Sequence, residues 1–162
     1  MTASVTNIVV AGLGGQGVLT CADILARAAF LAGLDVKKAE VHGMSQRGGS
    51  VACDVRFGPR VLSPMVPDGQ ADFLLVLAAD QVDVFRWRLR GGGELIVPGD
   101  IDESALPNKK SLNVAMLGRL SGRLGGIGGE YWPEALRQVL PGKIHEVNLQ
   151  ALAIGRDGAR TR

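Results

Sequence analysis

The stretch NIVVAGLGGQGVLTCADILARAAFLAG, residues 7–33, decides how the rest of the chain is read. NIVVA is a continuous, largely β-branched run, the pattern of a strand buried on both faces among parallel neighbours. GLGGQG, residues 12–17, follows it. Then Val18, Leu19, Ala22, Leu25, Ala26, Ala29 and Phe30 recur at helical spacing until Gly33 stops the helix. Gly12, Gly14 and Gly17 match G-x-G-x-x-G between strand and helix. Glycines there let the backbone turn without a Cβ clash, and the first amides of the helix, unpaired within it, favour an anion. Glu40 lies at about the separation where a dinucleotide-binding domain keeps its ribose-binding acid. A stand-alone NAD(P)-binding domain is one reading of this pattern. A tight turn that seats helix on sheet, with no ligand, is the other.

Working outward, DVKKA at 35–39 predicts a second strand and VACDVRF at 51–57 a third, with a polar, glycine-rich loop between them. Gly58-Pro59 is a turn, after which RVLSPMV is expected to pair back as a hairpin. ADFLLVLA reads as a central strand, DQVDVFRWRLRGG as an amphipathic helix and ELIVPGD as another buried strand. NVAMLGRLSGRL and YWPEALRQVL predict two helices separated by GGIGGE, and HEVNLQALAIGRDG predicts a last short one. The alternation implies one open α/β domain. We expect a Rossmann-like three-layer sandwich, its sheet mostly parallel, with an inserted antiparallel hairpin around residues 51–66. The domain is placed at 1–155 and a flexible basic tail at 156–162.

Composition narrows the function. A chain of 162 residues holds one domain with a real core. A net charge of +2 and 4% aromatic residues argue against a nucleic-acid surface. The 23 glycines, about twice the usual share, sit in loops beside apolar runs, where backbone turns tightly or approaches something closely. Cys21 and Cys53 stand alone, so neither a structural zinc site nor an iron–sulfur cluster is expected on this chain. MTASVTNIVVAG lacks the character of a signal peptide, and Asp23, Arg27 and Gly33 interrupt the longest apolar segments. A cytoplasmic chain with no membrane span is expected. His42 and His145 are the only histidines, and no acid–base pair or metal set is evident, so no catalytic or metal-binding residue is assigned.

Three segments together carry a resemblance: GLGGQGVLTCADILARAAFLAG, then EVHGMSQRGGSV at 40–51, then HEVNLQALAIG. With ALPNKKSLNVAMLG at 105–118, including Asn113, they resemble the γ domain of the thiamine-diphosphate-dependent 2-oxoacid:ferredoxin oxidoreductases. The form resembled is the free-standing small subunit of the indolepyruvate (arylpyruvate) branch, and the likeness runs from Asn7 to Gly155. It implies an enzyme that oxidatively decarboxylates a 2-oxoacid to an acyl-coenzyme A and passes electrons to ferredoxin. It also implies a large partner subunit carrying thiamine diphosphate, Mg2+ and the iron–sulfur clusters, with coenzyme A as co-substrate. This chain would then bind no cofactor tightly and be inactive alone. Phenylglyoxylate or pyruvate are alternative acids.

Gly12, Gly14, Gly15, Gln16 and Gly17, with His42, Gly43, Ser45, Gln46, Arg47, Gly48 and Gly49, form the candidate cofactor-binding or subunit-interface set. In the second loop Gly43, Gly48 and Gly49 permit close backbone approach, and Gln46 and Arg47 supply donors for a phosphate, a carboxylate or a partner backbone. The alternative for Arg47 is an internal ion pair with Glu40. Lys37 and Lys38 either steer an acidic co-substrate or are merely solvated, and Trp87 and Trp132 are either interface anchors or core.

Overall fold

A computed structural model describes residues 4–42 and 49–159. Its strands are β1 (Thr6–Leu13), β2 (Asp35–His42), β3 (Ser50–Gly58), β4 (Ala71–Val76) and β5 (Leu89–Ile96). Its helices are α1 (Val18–Leu31), α2 (Val82–Phe85), α3 (Leu112–Arg123), α4 (Tyr131–Val139) and α5 (His145–Ala159). The sheet is open, in the order β2-β3-β1-β4-β5. β1, β4 and β5 pair in parallel, whereas β3 runs antiparallel to both β1 and β2. Four strands therefore point one way and β3 the other: a mostly parallel α/β sheet with an antiparallel insertion, as expected.

The two faces of the sheet are covered very differently. Ile8, Val10, Cys53, Val55, Phe57, Leu75 and Ile96 point into the larger core, which they share with Ile24, Leu25, Met116, Leu117, Leu120, Trp132 and Leu136 from the helices. On the opposite face Val9, Ala11, Ala52, Ala71, Leu74 and Val76 form a smaller cluster with Val66 and the partly buried Val82, Phe85, Leu89 and Leu95. Both parities of β1 are buried, which is why NIVVA reads as an unbroken apolar run. Every large residue in the first core removes apolar surface worth about 1.5–3 kcal/mol from water.

The antiparallel insertion lies elsewhere than expected. β3 pairs with β2 and β1, and the segment at 61–66 is not a strand but a loop laid across the thinner face. Pro64 and Pro67 cannot donate to a ladder. Side chains fix the segment instead: the Val61 amide donates to Asp35 Oδ2 at 2.7 Å and the Val66 amide to Asp54 Oδ2 at 2.9 Å. The Val61 amide is also the main reason the Asp35 carboxyl is held below its usual range.

The expected helix at 80–92 is also cut short. Only Val82–Phe85 is α-helical, between 3₁₀ turns, and Leu89–Ile96 is strand β5. Gly93 explains the switch: a Cβ there would lie 2.9 Å from the Ala71 carbonyl and 2.7 Å from Leu89 Cδ1, so glycine lets β5 close on β4. No helix among the described residues is long and apolar enough to cross a membrane.

Candidate functional site

The glycine loop turns at the carboxyl end of β1. α1 leaves β1 toward the larger core and the chain leaves β4 toward the thinner face, so β1 and β4 flank the crevice where open α/β sheets take ligands. Gln16 closes the loop on itself: its Oε1 accepts the Leu13 amide at 2.7 Å. Gly12 leaves room for that side chain, because a Cβ at Gly12 would sit 2.8 Å from Gln16 Oε1. Gln16 therefore serves the turn from within. Gly15 and Gly17 take φ of +88° and +85°, the left-handed region that glycine tolerates.

Gly17, the cap of α1, is constrained a second time. Asn113, in the first turn of α3, fills the space where a Cβ would stand. Its Oδ1 accepts the Val114 amide at 2.9 Å, and its carbonyl accepts the Cys21 thiol at 3.4 Å. A cavity of about 310 Å³ opens beside this junction, lined among others by Thr20, Asn108, Lys110, Asn113, Ile144 and Asn148. Asn108 Oδ1 already accepts the Lys110 amide, at 2.8 Å, and Asn148 Nδ2 donates to the Ile144 carbonyl, at 2.9 Å.

The two ends of the stretch at 40–51 lie in the antiparallel pair β2 and β3. Glu40, Val41 and His42 close β2, and Ser50 and Val51 open β3. Gly43, Ser45, Gln46, Arg47 and Gly48, and the side chain of His42, lie outside the described residues. Gly49 ties the hairpin to the glycine loop: its carbonyl accepts the Gly14 amide at 2.9 Å. Ser50 Oγ, 2.5 Å from Gln81 Oε1, ties it to the turn after β4. The fold thus brings Gly49 and Ser50, the described end of the second motif, beside the glycine loop. Gln81 and Thr20 carry no motif of their own and are placed there only by the folding of β4 and α1.

Several candidates resolve into structural roles. Lys38 pairs with Asp23 at 2.5 Å and Glu40 at 3.5 Å, and chiefly the Asp23 hydrogen bond raises its pKa. Lys37 lies 3.7 Å from Asp35. Neither lysine is an uncommitted steering charge. His145 Nε2 sits 2.6 Å from the Leu140 carbonyl, at the end of α4. Trp132 is wholly buried in the core, whereas Trp87 is 58% exposed. Glu40 cannot serve as a ribose acid: β3 stands between its strand and β1, about two strand spacings or roughly 10 Å away.

Burial pushes the Cys21 thiol up to about 12 and, despite the counter-pull of Lys38, the Cys53 thiol up to about 11. Both are protonated at neutral pH and ill suited to ligate iron or zinc. No group of three His, Cys, Asp or Glu able to hold a metal occurs among the described residues. What this edge offers is shape, backbone amides and a joined pair of loops.

Comparison with known proteins gives the family. The sequence profile of the family described as pyruvate ferredoxin/flavodoxin oxidoreductase matches residues 7–158. Indolepyruvate oxidoreductase subunit IorB of Archaeoglobus fulgidus is 35% identical over 94% of this chain and 94% of its own. Ketoisovalerate oxidoreductase subunit VorA of Methanothermobacter marburgensis is 32% identical over 95% of this chain but only 36% of its own. Among solved structures, the keto/oxoacid ferredoxin oxidoreductase γ subunit from Geobacter sulfurreducens superposes with a TM-score of 0.83 at 24% identity, covering 97% of this chain and 99% of that one. The 2-oxoglutarate:ferredoxin oxidoreductase from Magnetococcus marinus, with 2-oxoglutarate, coenzyme A and succinyl-CoA bound, also gives 0.83 at 20% identity, over 98% of this chain and 31% of that one. The chain belongs to the pyruvate ferredoxin/flavodoxin oxidoreductase family, as a small subunit of a 2-oxoacid:ferredoxin oxidoreductase.

Proposed function

We propose that this chain is the small subunit of an indolepyruvate-type (arylpyruvate) ferredoxin oxidoreductase. The holoenzyme converts one 2-oxoacid, one coenzyme A and two oxidised ferredoxins into acyl-coenzyme A, carbon dioxide, two reduced ferredoxins and a proton. Thiamine diphosphate with Mg2+ and the iron–sulfur clusters belong to the large partner subunit and supply the decarboxylation and the electron path. The observation that carries this reading is end-to-end likeness to subunit IorB, over 94% of both chains.

The role of this chain is to complete the partner's site. The bond between Gly14 and Gly49 makes the glycine loop and the hairpin one unit, so whatever meets one loop positions the other. Gly15 and Gly17 bring backbone amides to that surface, while the Gly14 amide is held by the Gly49 carbonyl, Gly12 leaves room for Gln16, and Gln16 keeps the turn closed. In the hairpin, His42, Gly43, Ser45, Gln46, Arg47, Gly48 and Gly49 face the large subunit near the active-site entrance, where Gln46 and Arg47 offer donors to the 2-oxoacid, to coenzyme A or to partner backbone. A second reading, the same role for a branched or short 2-oxoacid, is favoured by 32% identity to subunit VorA across 95% of this chain.

The test is coexpression with the large subunit and a ferredoxin-linked assay across aryl, branched and short 2-oxoacids. Preference for indolepyruvate supports the first reading; preference for an aliphatic acid replaces it with the second. Arg47→Ala is expected to cost tenfold or more in turnover or in subunit affinity. Unchanged assembly and unchanged turnover would remove the hairpin from the site.

A further inference from the structure

The thinner face of the sheet carries a groove of about 360 Å³ between the end of β2, the start of β3, the 61–66 loop and α2. Among the described residues six large apolar side chains are exposed, and four of them, Val41 (38%), Met65 (49%), Val84 (47%) and Trp87 (58%), line this one groove. Such clustering on a small domain marks a surface that is covered in use.

We propose that this groove is the principal docking surface for the large subunit and takes an apolar segment of it. The inference rests on the reading of the chain as a small subunit and adds which face is buried. Two observations choose this occupant. First, in subunit VorA the equivalent of this chain is 36% of a longer polypeptide, so the same fold there has nearly twice its own length attached to it; a free-standing version must regain such contact through its surface. Second, the groove is continuous with the motif loops. Val41 and Ser50 line it at the end of β2 and the start of β3, and Gly49, next to Ser50, joins β3 to the glycine loop. A partner seated on the glycine loop and Gly49 adjoins the groove.

The groove is also preformed. Its wall, the 61–66 loop, is stapled to the sheet from below: Arg88 Nη2 donates to Asp54 Oδ2 at 2.8 Å and to the Val66 carbonyl at 3.3 Å. Asp54 is wholly buried and Arg88 is 6% exposed. The Arg88 guanidinium stands 5.5 Å from the Trp87 ring and holds that indole at the groove's edge. A rigid aromatic beside a desolvated arginine, ringed by aliphatic side chains, has the make-up of an interface hot spot.

The test measures the affinity of the large subunit, expressed and purified separately, for Val84→Asp, Trp87→Asp and Phe30→Asp. Phe30 is equally exposed, at 60%, but lies on α1, outside the groove. Binding is expected to weaken at least tenfold for Val84→Asp and Trp87→Asp and less than twofold for Phe30→Asp. Should Trp87→Asp fail to fold, Val84→Asp decides alone. Tight binding by both groove variants would overturn the proposal while leaving the small-subunit reading intact. So would an isolated wild-type dimer that Val84→Asp dissolves with no change in large-subunit affinity, which would assign the groove to a second copy. A wild-type chain that binds no large subunit would overturn the underlying reading as well.

Discussion

Gly155 of α5 lies directly on the carbonyl of Ala115 of α3, with no room for a Cβ between them. Gly118 stands in the same relation to the Leu152 carbonyl, and a Cβ at Gly122 would come 2.8 Å from Ala159 Cβ. α3 and α5 therefore meet backbone to backbone. Gly155→Ala gains helix propensity but must force the helices apart, and overpacking of this kind costs about 1–3 kcal/mol. A melting-temperature fall of about 3–10 °C follows for a domain of this size. Gly158→Ala, where an added Cβ meets nothing within 4 Å, is the control and should leave the melt unchanged or raise it. Equal melts for the two variants would contradict the packing.

Gly17 and Gly15 separate two effects that usually coincide. Both hold positive φ, but an added Cβ meets open space at Gly15 and the Asn113 side chain at Gly17. Gly15→Ala should cost about 1–2 kcal/mol, the left-handed penalty alone. Gly17→Ala should cost more, and replacing Asn113 with Ala in that background should recover part of the excess. A double-mutant cycle in denaturant measures this coupling, expected at about 1 kcal/mol. Strict additivity would mean that Asn113 does not seat against the loop.

The buried pair of Asp54 and Arg88 predicts an asymmetry. Asp54 Oδ1 and Arg88 Nε have no hydrogen-bond partner, so the pair is imperfectly satisfied. Removing one member leaves the other charge buried: Asp54→Ala should cost about 3–5 kcal/mol. Replacing both, as Asp54→Leu with Arg88→Met, should cost clearly less. Urea denaturation of the three proteins distinguishes the cases, and a double variant as unstable as the single one would show that the pair stabilises by more than mutual neutralisation.

The sequence foretold what local chemistry controls. β1, the glycine turn and α1 follow from a β-branched run, glycines and helical spacing within 27 residues, and the structure has them. α3 and α4 lie where their apolar spacing puts them. Strand order was not legible, because β3 inserts between β2 and β1 through pairings that join distant residues such as Val10 with Cys53. Nor was the 61–66 loop, whose anchors are Asp35 and Asp54, two carboxylates that look unremarkable in their own strands. The glycine run 91–93 suggested a helix stop and is instead part of β5. The Asn113 contact with Gly17 joins residues 96 positions apart, beyond any local pattern.

The two thiols predict a pH signature. Cys21 and Cys53 ordinarily titrate at 9.0, and burial raises them to about 12 and about 11. The folded state thus holds these protons more tightly than the unfolded state, so stability is retained below about 9 and declines as pH rises toward about 11–12. At pH 8 a disulfide reagent should react with neither thiol until the protein opens. Rapid labelling of the native chain would place at least one thiol at the surface. Cys21→Ala should flatten the alkaline decline, and an unchanged slope would assign it to other groups.

The absence of a ribose acid gives a prediction about ligands. In a dinucleotide-binding domain the strand bearing that acid is the immediate neighbour of β1, so phosphate and ribose are held across one strand spacing. Here β3 occupies that place, and Glu40 faces Lys38 on the strand beyond. The glycine turn is also closed from within by Gln16, whose Oε1 occupies space next to Gly12 that an approaching pyrophosphate would need. NADH or NADPH at one hundred times a useful dissociation constant would stabilise a true binder by about 2.7 kcal/mol. For a chain of this size that is a rise of roughly 5–10 °C in melting temperature. We expect no rise with either nucleotide at millimolar concentration, and no quenching of the exposed Trp87. A clear upward shift would mean that Gln16 leaves the loop to admit a nucleotide, and a Gln16→Ala variant would then bind more tightly still.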